Sequence, residues 1–155
     1  MIRKIRREDR ELFLKLTKEF YNTDAVSHPI PYEFHERTFD ELMRSDDYME
    51  VFILEYNNEP AGYCMIVKTY SQEAGGMVTW IEELYIQKKY RSRGLGKELF
   101  KYLEETKDDT VARLRLEVEA DNNIAKNLYT KMGFKELEYQ QMIKEFKIPQ
   151  SNHLA

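Results

Sequence analysis

The densest chemistry in the chain lies in one short stretch, Leu84-Tyr85-Ile86-Gln87-Lys88-Lys89-Tyr90-Arg91-Ser92-Arg93-Gly94-Leu95-Gly96-Lys97. An apolar run enters a basic turn, and the turn enters a helical pattern whose first residues include Gly94 and Gly96. Glycine at a helix start removes the side chain that would hold an anion away from the first backbone N–H groups. The helix dipole and the neighbouring arginines add positive potential. This is phosphate-binding chemistry. Between Lys88 and Lys101 stand six basic residues and one acid, Glu98. In a chain whose formal charge is −4, such a patch suits a compact polyanion better than the long backbone of a nucleic acid. A P-loop in this frame needs Gly at 91 and Ser or Thr at 98, where Arg91 and Glu98 stand; a dinucleotide fingerprint needs a small residue at 99, where Leu99 stands. A plain strand-to-helix turn with a solvated basic face fits the same residues, so the stretch alone does not decide.

Two acids precede the turn. Strict alternation places Val78, Trp80, Glu82, Leu84 and Ile86 on one strand face, which makes Glu82 the single charge in an apolar row. A carboxylate there has a raised pKa and suits a general base. Glu83 shares the other face with Thr79, Ile81 and Tyr85 and suits contact with a cation, unless a bulge breaks the parity. Ion pairing to Arg or Lys would explain either acid without catalysis. Cys64, the only cysteine, lies in the apolar run Tyr63-Cys64-Met65-Ile66 and reads as an inert core thiol. It leaves no intramolecular disulfide and no cysteine zinc site. His28 and His35 form no metal-ligand pair and read as exposed or capping residues. Tyr129 lies on the apolar stripe of a short helix and reads, by itself, as a core aromatic.

The elements that must position these residues follow from periodicity. Strands are predicted over 2–6, 49–56, 61–68, 77–86, 111–118 and 139–146, and helices over 8–22, 34–45, 94–107 and about 122–132. The prolines of His28-Pro29-Ile30-Pro31 make 23–33 a loop. Asn57-Asn58-Glu59-Pro60 and Gly75-Gly76 are turn signals. Asp121-Asn122 opens the last helix and Gly133-Phe134 closes it. The order is mixed α+β. At 155 residues the chain fits one domain, 1–148, followed by a flexible tail, 149–155. With 42% hydrophobic and 34% charged residues, no apolar h-region at the start and no apolar run near 18 residues, it is expected to be soluble and cytoplasmic, with no membrane and no nucleic-acid partner.

Arg91-Ser92-Arg93-Gly94-Leu95-Gly96 resembles the Arg/Gln-x-x-Gly-x-Gly/Ala signature of the GNAT superfamily of N-acetyltransferases. Asn122-Asn123-Ile124-Ala125-Lys126-Asn127-Leu128-Tyr129-Thr130-Lys131-Met132-Gly133-Phe134 resembles that superfamily's Asn-x-x-Ala-x-x-Leu-Tyr-x-x-x-Gly-Phe segment. The resemblance is dense from about 50 to 146 and thin before. It implies a central twisted mixed sheet of six to seven strands flanked by about four helices, with a gap between the fourth and fifth strands that admits the pantetheine arm of acetyl-CoA. By that likeness the backbone of Leu84, Tyr85 and Ile86 meets pantetheine, and Arg91, Ser92, Arg93, Gly94, Leu95, Gly96 and Lys97 hold the pyrophosphate. Asn122 approaches the cofactor, and Tyr129 contacts it and protonates the departing thiolate. Glu82 or Glu83 deprotonates the acceptor, a primary amine of a small molecule or peptide. No metal is implied, and a homodimer is compatible with the likeness. The segment over the acceptor offers Tyr21, Asp24, His28 and Tyr32, besides Glu33, Asp46 and Asp47, which suits a cationic acceptor such as a polyamine, an aminoglycoside or a lysine. A non-catalytic acyl-CoA-binding regulatory module is the alternative; retention of Glu82, Glu83 and Tyr129 speaks against it.

Overall fold

Turn chemistry and alternation first build a three-strand meander in a computed structural model that describes residues 1–149. β2 (Met49–Tyr56), β3 (Glu59–Ser71) and β4 (Gly76–Ile86) pair antiparallel in sequence order. The β2–β3 turn holds Asn57 and Asn58 at φ of 50° and 63°, the left-handed pair that a two-residue hairpin requires and asparagine tolerates. Gly75, at φ 73°, closes the β3–β4 turn with its N–H on Ser71 O at 2.9 Å. β1 (Ile2–Lys4) adds antiparallel to β2. β5 (Val111–Leu116) adds parallel to β4, and a parallel neighbour demands a crossover, which α3 (Leu95–Thr106) supplies. The sheet order is therefore β1-β2-β3-β4-β5.

Packing follows the alternation of the sheet. α1 (Arg10–Tyr21) and α2 (Tyr32–Arg44) bury Phe13, Leu16, Phe20 and Phe39 in one cluster with Val51, Ile53, Tyr63 and Met65 of β2 and β3. The Phe13 ring stands 5.9 Å from Phe39 and 6.1 Å from Tyr63. Residues of opposite parity serve α3, whose Leu95, Leu99, Phe100 and Leu103 are buried; Phe52 of β2 meets Tyr102 edge-on at 5.4 Å.

By contacts the chain divides into two compact units, Met1–Glu117 and the part from Val118 onward. All five strands belong to the first. In the second, α4 (Asn123–Lys131) is capped by Asn122, whose side chain accepts from the Ala125 N–H at 3.2 Å. Gly133, at φ 92°, ends the helix and lets the Phe134 N–H reach Tyr129 O at 3.0 Å. Both cap assignments match the sequence.

The mixed α+β architecture with four helices agrees with the expectation, but the strand count does not. Five strands form, and the strand expected over 139–146 is absent from the ladders of the described residues. Alternation supplies a face for burial, while a strand also needs a neighbour in hydrogen-bonding register, which local sequence does not encode. Met142 and Ile143, meant for a core, are exposed. The expected tail falls almost wholly on 150–155, outside the described residues.

One close approach is decisive for the central strands. Gly62 faces Ile86 across β3 and β4, and a Cβ at Gly62 would stand 2.0 Å from Tyr85 O and 2.9 Å from Ile86 Cα. Both neighbours are backbone, so no rotamer relieves the clash. We expect Gly62→Ala to destabilise the protein by more than the roughly 1–3 kcal/mol of ordinary overpacking, read by denaturant unfolding. A loss under about 1 kcal/mol would show that the strands separate easily there.

Candidate active site

β4 changes its neighbours halfway along. Its ladder with β5 ends at Ile81 opposite Leu116, while its ladder with β3 continues to Ile86. Residues 82–86 thus have β3 on one edge and no ladder on the other among the described residues. The Gln87 N–H donates to Ala61 O at 2.9 Å, and the Tyr85 carbonyl presses on Gly62, so these residues turn their backbone groups toward β3. Strand alternation then aims the backbone groups of Leu84 and Ile86 at the open edge. The ladder thus ends where the resemblance implies a gap between the fourth and fifth strands.

At the end of this edge comes the basic turn. Arg91 is extended, Ser92 takes φ 60°, and Gly94 takes φ 82° as the residue before α3. The left-handed value at Gly94 disfavours any side chain. No heavy atom outside the immediate chain lies within 4 Å of a Cβ built on Gly94 or on Gly96, so the ground in front of the helix start is open. Gly94 O accepts the Glu98 N–H at 3.0 Å, which begins the helix and leaves the N–H groups of Leu95, Gly96 and Lys97 without helical partners. Donors, dipole and space fit a pyrophosphate.

The two arginines divide their work. Arg91 Nε donates to Ile86 O at 2.8 Å, which ties the turn to the strand end. Arg93 leans instead toward the β2–β3 hairpin, its guanidinium 5.1 Å from the Tyr56 ring centre. There it lines an open groove of about 460 Å³ with Tyr56, Asn57, Glu59, Lys89 and Tyr90, in which the buried Tyr90 donates its hydroxyl to Glu59.

The two acids exchange the places that alternation gave them. Ile81 faces Ile66, but Glu83 faces Met65, so Glu82 is an extra residue in β4. This bulge reverses the parity beyond it. Glu82 is therefore exposed instead of sitting in an apolar row, and Glu83 leaves the face of Thr79 and Ile81 for that of Tyr63 and Met65, under α1. Glu83 is 8% exposed. Its Oε2 accepts from the Tyr21 hydroxyl at 2.6 Å and its Oε1 from the Tyr63 hydroxyl at 2.7 Å. Burial raises its pKa and the two phenols counter in part. Glu82 is raised by partial desolvation, then by the charges of Glu83 and Glu117.

Behind Glu83 the polar chain continues. Thr17 bonds the Tyr63 hydroxyl, and His35 Nδ1 stands 3.1 Å from Thr17 Oγ1. Tyr63 spends its one proton on Glu83; with the Thr17 hydroxyl turned to Tyr63, the His35 tautomer protonated at Nδ1 is the one that fits. Burial lowers the His35 pKa, with help from Lys18, which keeps the ring neutral and suits that tautomer. His35 is 4% exposed, not the surface or capping residue expected; it faces inward because α2 packs its ring against Tyr21 at 5.4 Å.

Of the acceptor-side candidates, Tyr21 joins Glu83, Tyr32 stacks loosely on His35 at 6.2 Å, and Asp24 and His28 are exposed in the loop before α2. Sequence reasoning passed over Tyr63, Thr17 and Glu19, the last of which accepts from the Tyr85 hydroxyl at 3.1 Å and Gln87 Nε2 at 3.0 Å. A tyrosine inside an apolar strand carries no signal of a distant acid. Cys64 is fully buried, and burial pushes its thiol pKa up, as an inert core thiol requires. In the second unit, Asn122 spends its side chain on the α4 cap, and the half-buried Tyr129 packs its ring 5.9 Å from Phe134.

The mixed sheet thus opens beside β4 and runs onto a glycine-led helix start. The family model described as "Acetyltransferase (GNAT) family" matches residues 11–134, and the chain belongs to that family. It is similar to the thialysine N-epsilon-acetyltransferase of Bos taurus, 26% identical over 151 residues that cover 88% of this chain and 85% of the relative. Among solved structures, a possible acetyltransferase from Clostridium difficile 630 superposes with a TM-score of 0.81 at 21% identity, covering 96% of this chain and 98% of the other. AAC(6')-Iy in complex with the bisubstrate analogue CoA-S-monomethyl-acetylneamine superposes at 0.77 with 17% identity, covering 95% and 98%. No helix among the described residues is long and apolar enough to cross a membrane.

The buried acid yields a test by its sign. The folded pKa of Glu83 lies above its unfolded value of about 4.3, so the stability its protonated form gives is complete below that value. It is lost as pH rises through the raised pKa. Glu83→Gln stays neutral throughout. We expect the difference in Tm, Gln variant minus parent, to become more positive between about pH 4 and pH 8; a constant or falling difference would show that Glu83 does not titrate high in the folded protein.

Proposed function

We propose that the chain is a cytoplasmic, acetyl-CoA-dependent N-acetyltransferase acting as one domain, 1–148, on a primary amine of a cationic small molecule or peptide. One observation carries the reading: the open edge at Leu84 and Ile86 leads directly onto the uncovered helix start at Gly94 and Gly96. The family match supports the single domain, since it runs across the boundary between the two units.

In this reading the backbone of Leu84 and Ile86, beside Tyr85, holds the pantetheine arm. The amides of 91–97 hold the pyrophosphate, with Arg91, Arg93 and Lys97 supplying charge. The cofactor supplies an acetyl thioester, activated toward an amine. Glu82, exposed on the bulge with a raised pKa, takes the proton of the acceptor ammonium directly or through water. The family resemblance supports assigning Asn122 to the cofactor and Tyr129 as the acid that would protonate the coenzyme A thiolate, since a phenol of ordinary pKa about 10 is neutral at pH 7. Glu83 reaches a cationic acceptor only through the Tyr21 hydroxyl, because both of its own oxygens are engaged; Asp24, His28 and Tyr32 offer the outer contacts. The relative named thialysine N-epsilon-acetyltransferase supports a cationic amine as acceptor.

An amine-library screen with acetyl-CoA, reading released thiol, tests the assignment. Absence of thiol release with every amine, beside normal coenzyme A binding, would favour the regulatory module. We expect Glu82→Gln to lower kcat/KM by about 10²-fold or more and to erase an acid limb whose midpoint lies above an ordinary glutamate's; an unchanged limb removes Glu82 as base. We expect Tyr129→Phe to lower kcat while calorimetry finds coenzyme A affinity unchanged, and equal turnover would end the acid role. Gly96→Val should weaken coenzyme A binding by blocking the helix start, and normal affinity would refute the assigned loop.

A further inference from the structure

We propose that Glu83 is a positioning residue, held by the Tyr21 and Tyr63 hydroxyls so that the bulge in β4 presents the neighbouring Glu82 carboxylate outward. The inference rests on the reading of Glu82 as the base. It assigns work to a buried polar chain that the reaction itself does not use.

The geometry carries it. A bulge residue has no partner of its own across the ladder, so its orientation depends on what holds the residues on either side. On one side Ile81, buried in the apolar layer, is fixed opposite Ile66. On the other side an apolar residue could slide back into register; Glu83 cannot. Its two oxygens meet two phenols that come from different elements, α1 and β3. If β4 slipped by one residue, Glu82 would take the place between the two phenols. Glu83, however, would turn beside the buried Cys64 with no donor, and burying an acid without partners is costly. The slipped register is thereby excluded.

The chain behind Glu83 makes the hold directional. Tyr63 donates to Glu83, Thr17 lowers the Tyr63 pKa from behind, and His35 Nδ1 stands 3.1 Å from Thr17 Oγ1. The acid thus sits at the receiving end of a polar line that reaches back to α2. Tyr21 closes it from the other side at the end of α1. The two helices over the acceptor side are thus tied through hydrogen bonds to the strand residue next to the base.

Tyr63 is the residue to change, since it is fully buried and is placed at neither cofactor nor acceptor. We expect Tyr63→Phe to lower kcat by about ten- to a hundredfold, the scale of a small misplacement of a reacting group, with KM for acetyl-CoA unchanged. The double variant Glu82→Gln with Tyr63→Phe should be no slower than Glu82→Gln alone, because the hydroxyl acts only through Glu82. Native-state hydrogen exchange should show the Glu82 and Glu83 amides of Tyr63→Phe opening faster while those of β2 stay protected. Full kcat in Tyr63→Phe, losses that multiply in the double variant, or unchanged exchange at those amides would each overturn the proposal. If the parent protein acetylates no amine, the enzyme reading fails, and the exchange experiment still decides whether Tyr63 holds the bulge.

Discussion

A strand offers alternate residues to two faces only while its ladder keeps register, and the ladder of β4 with β3 loses register once, at Glu82. Everything assigned to the site hangs on that single extra residue. Before it, β4 packs as alternation dictates and shares a ladder with β5. After it, the parity is reversed and the ladder with β5 has ended. One acid, Glu83, is sealed under α1 while the one before it, Glu82, faces out. Two adjacent glutamates of the same chemistry acquire opposite environments, and with them different tasks.

The same strand also carries the anion end of the site. Beyond the bulge, Leu84 and Ile86 present backbone groups along an edge that carries no strand ladder among the described residues, and the chain then turns at Ser92 and Gly94 to start α3. Two left-handed residues in three positions sharpen this turn, and the Arg91 bond to Ile86 O fixes it to the strand. An extended arm along the edge and phosphates at its end require the strand and the helix to meet with little slack. Gly62, with no room for even a methyl group, is part of the same requirement, since it lets β3 follow β4 closely to the end of the open stretch.

Much of this could be read from residue order. The glycines at 94 and 96 are visible as helix-start residues because glycine's reason for being there is local. So are the Asn57-Asn58 hairpin and the caps of α4. The placement of the acids was not legible. Alternation assumes an unbroken ladder, and the bulge comes from a match between Met65, Ile66 and β4 that only the paired strand contains. His35 misleads for a related reason: its partner Thr17 lies on another helix. The strand expected over 139–146 fails on the other side of the same principle, for its alternation is real but no ladder among the described residues receives it. Local rules describe what a segment is able to do. Partners decide whether it does.

The hydrogen-bond chain from His35 to Glu83 adds a constraint on protonation as well as on shape. With both oxygens of Glu83 accepting, the ionised acid is the form that satisfies the line. A protonated Glu83 must give its own proton to something, and the groups it faces, Tyr21 and Tyr63, are both already donating toward it. One of them would have to rotate its hydroxyl hydrogen away, and Tyr63 is fully buried, where solvent does not reach to accept it. Tyr21, half-buried at the end of α1, is the one able to move. Burial favours the neutral acid and the phenols favour the charged one, so the balance between them is a balance of Tyr21 in place against Tyr21 released. The residue that gives way first is the one on the acceptor side, which makes the outer end of the chain the responsive end and leaves the inner end, at Tyr63, as the fixed point from which the bulge is held.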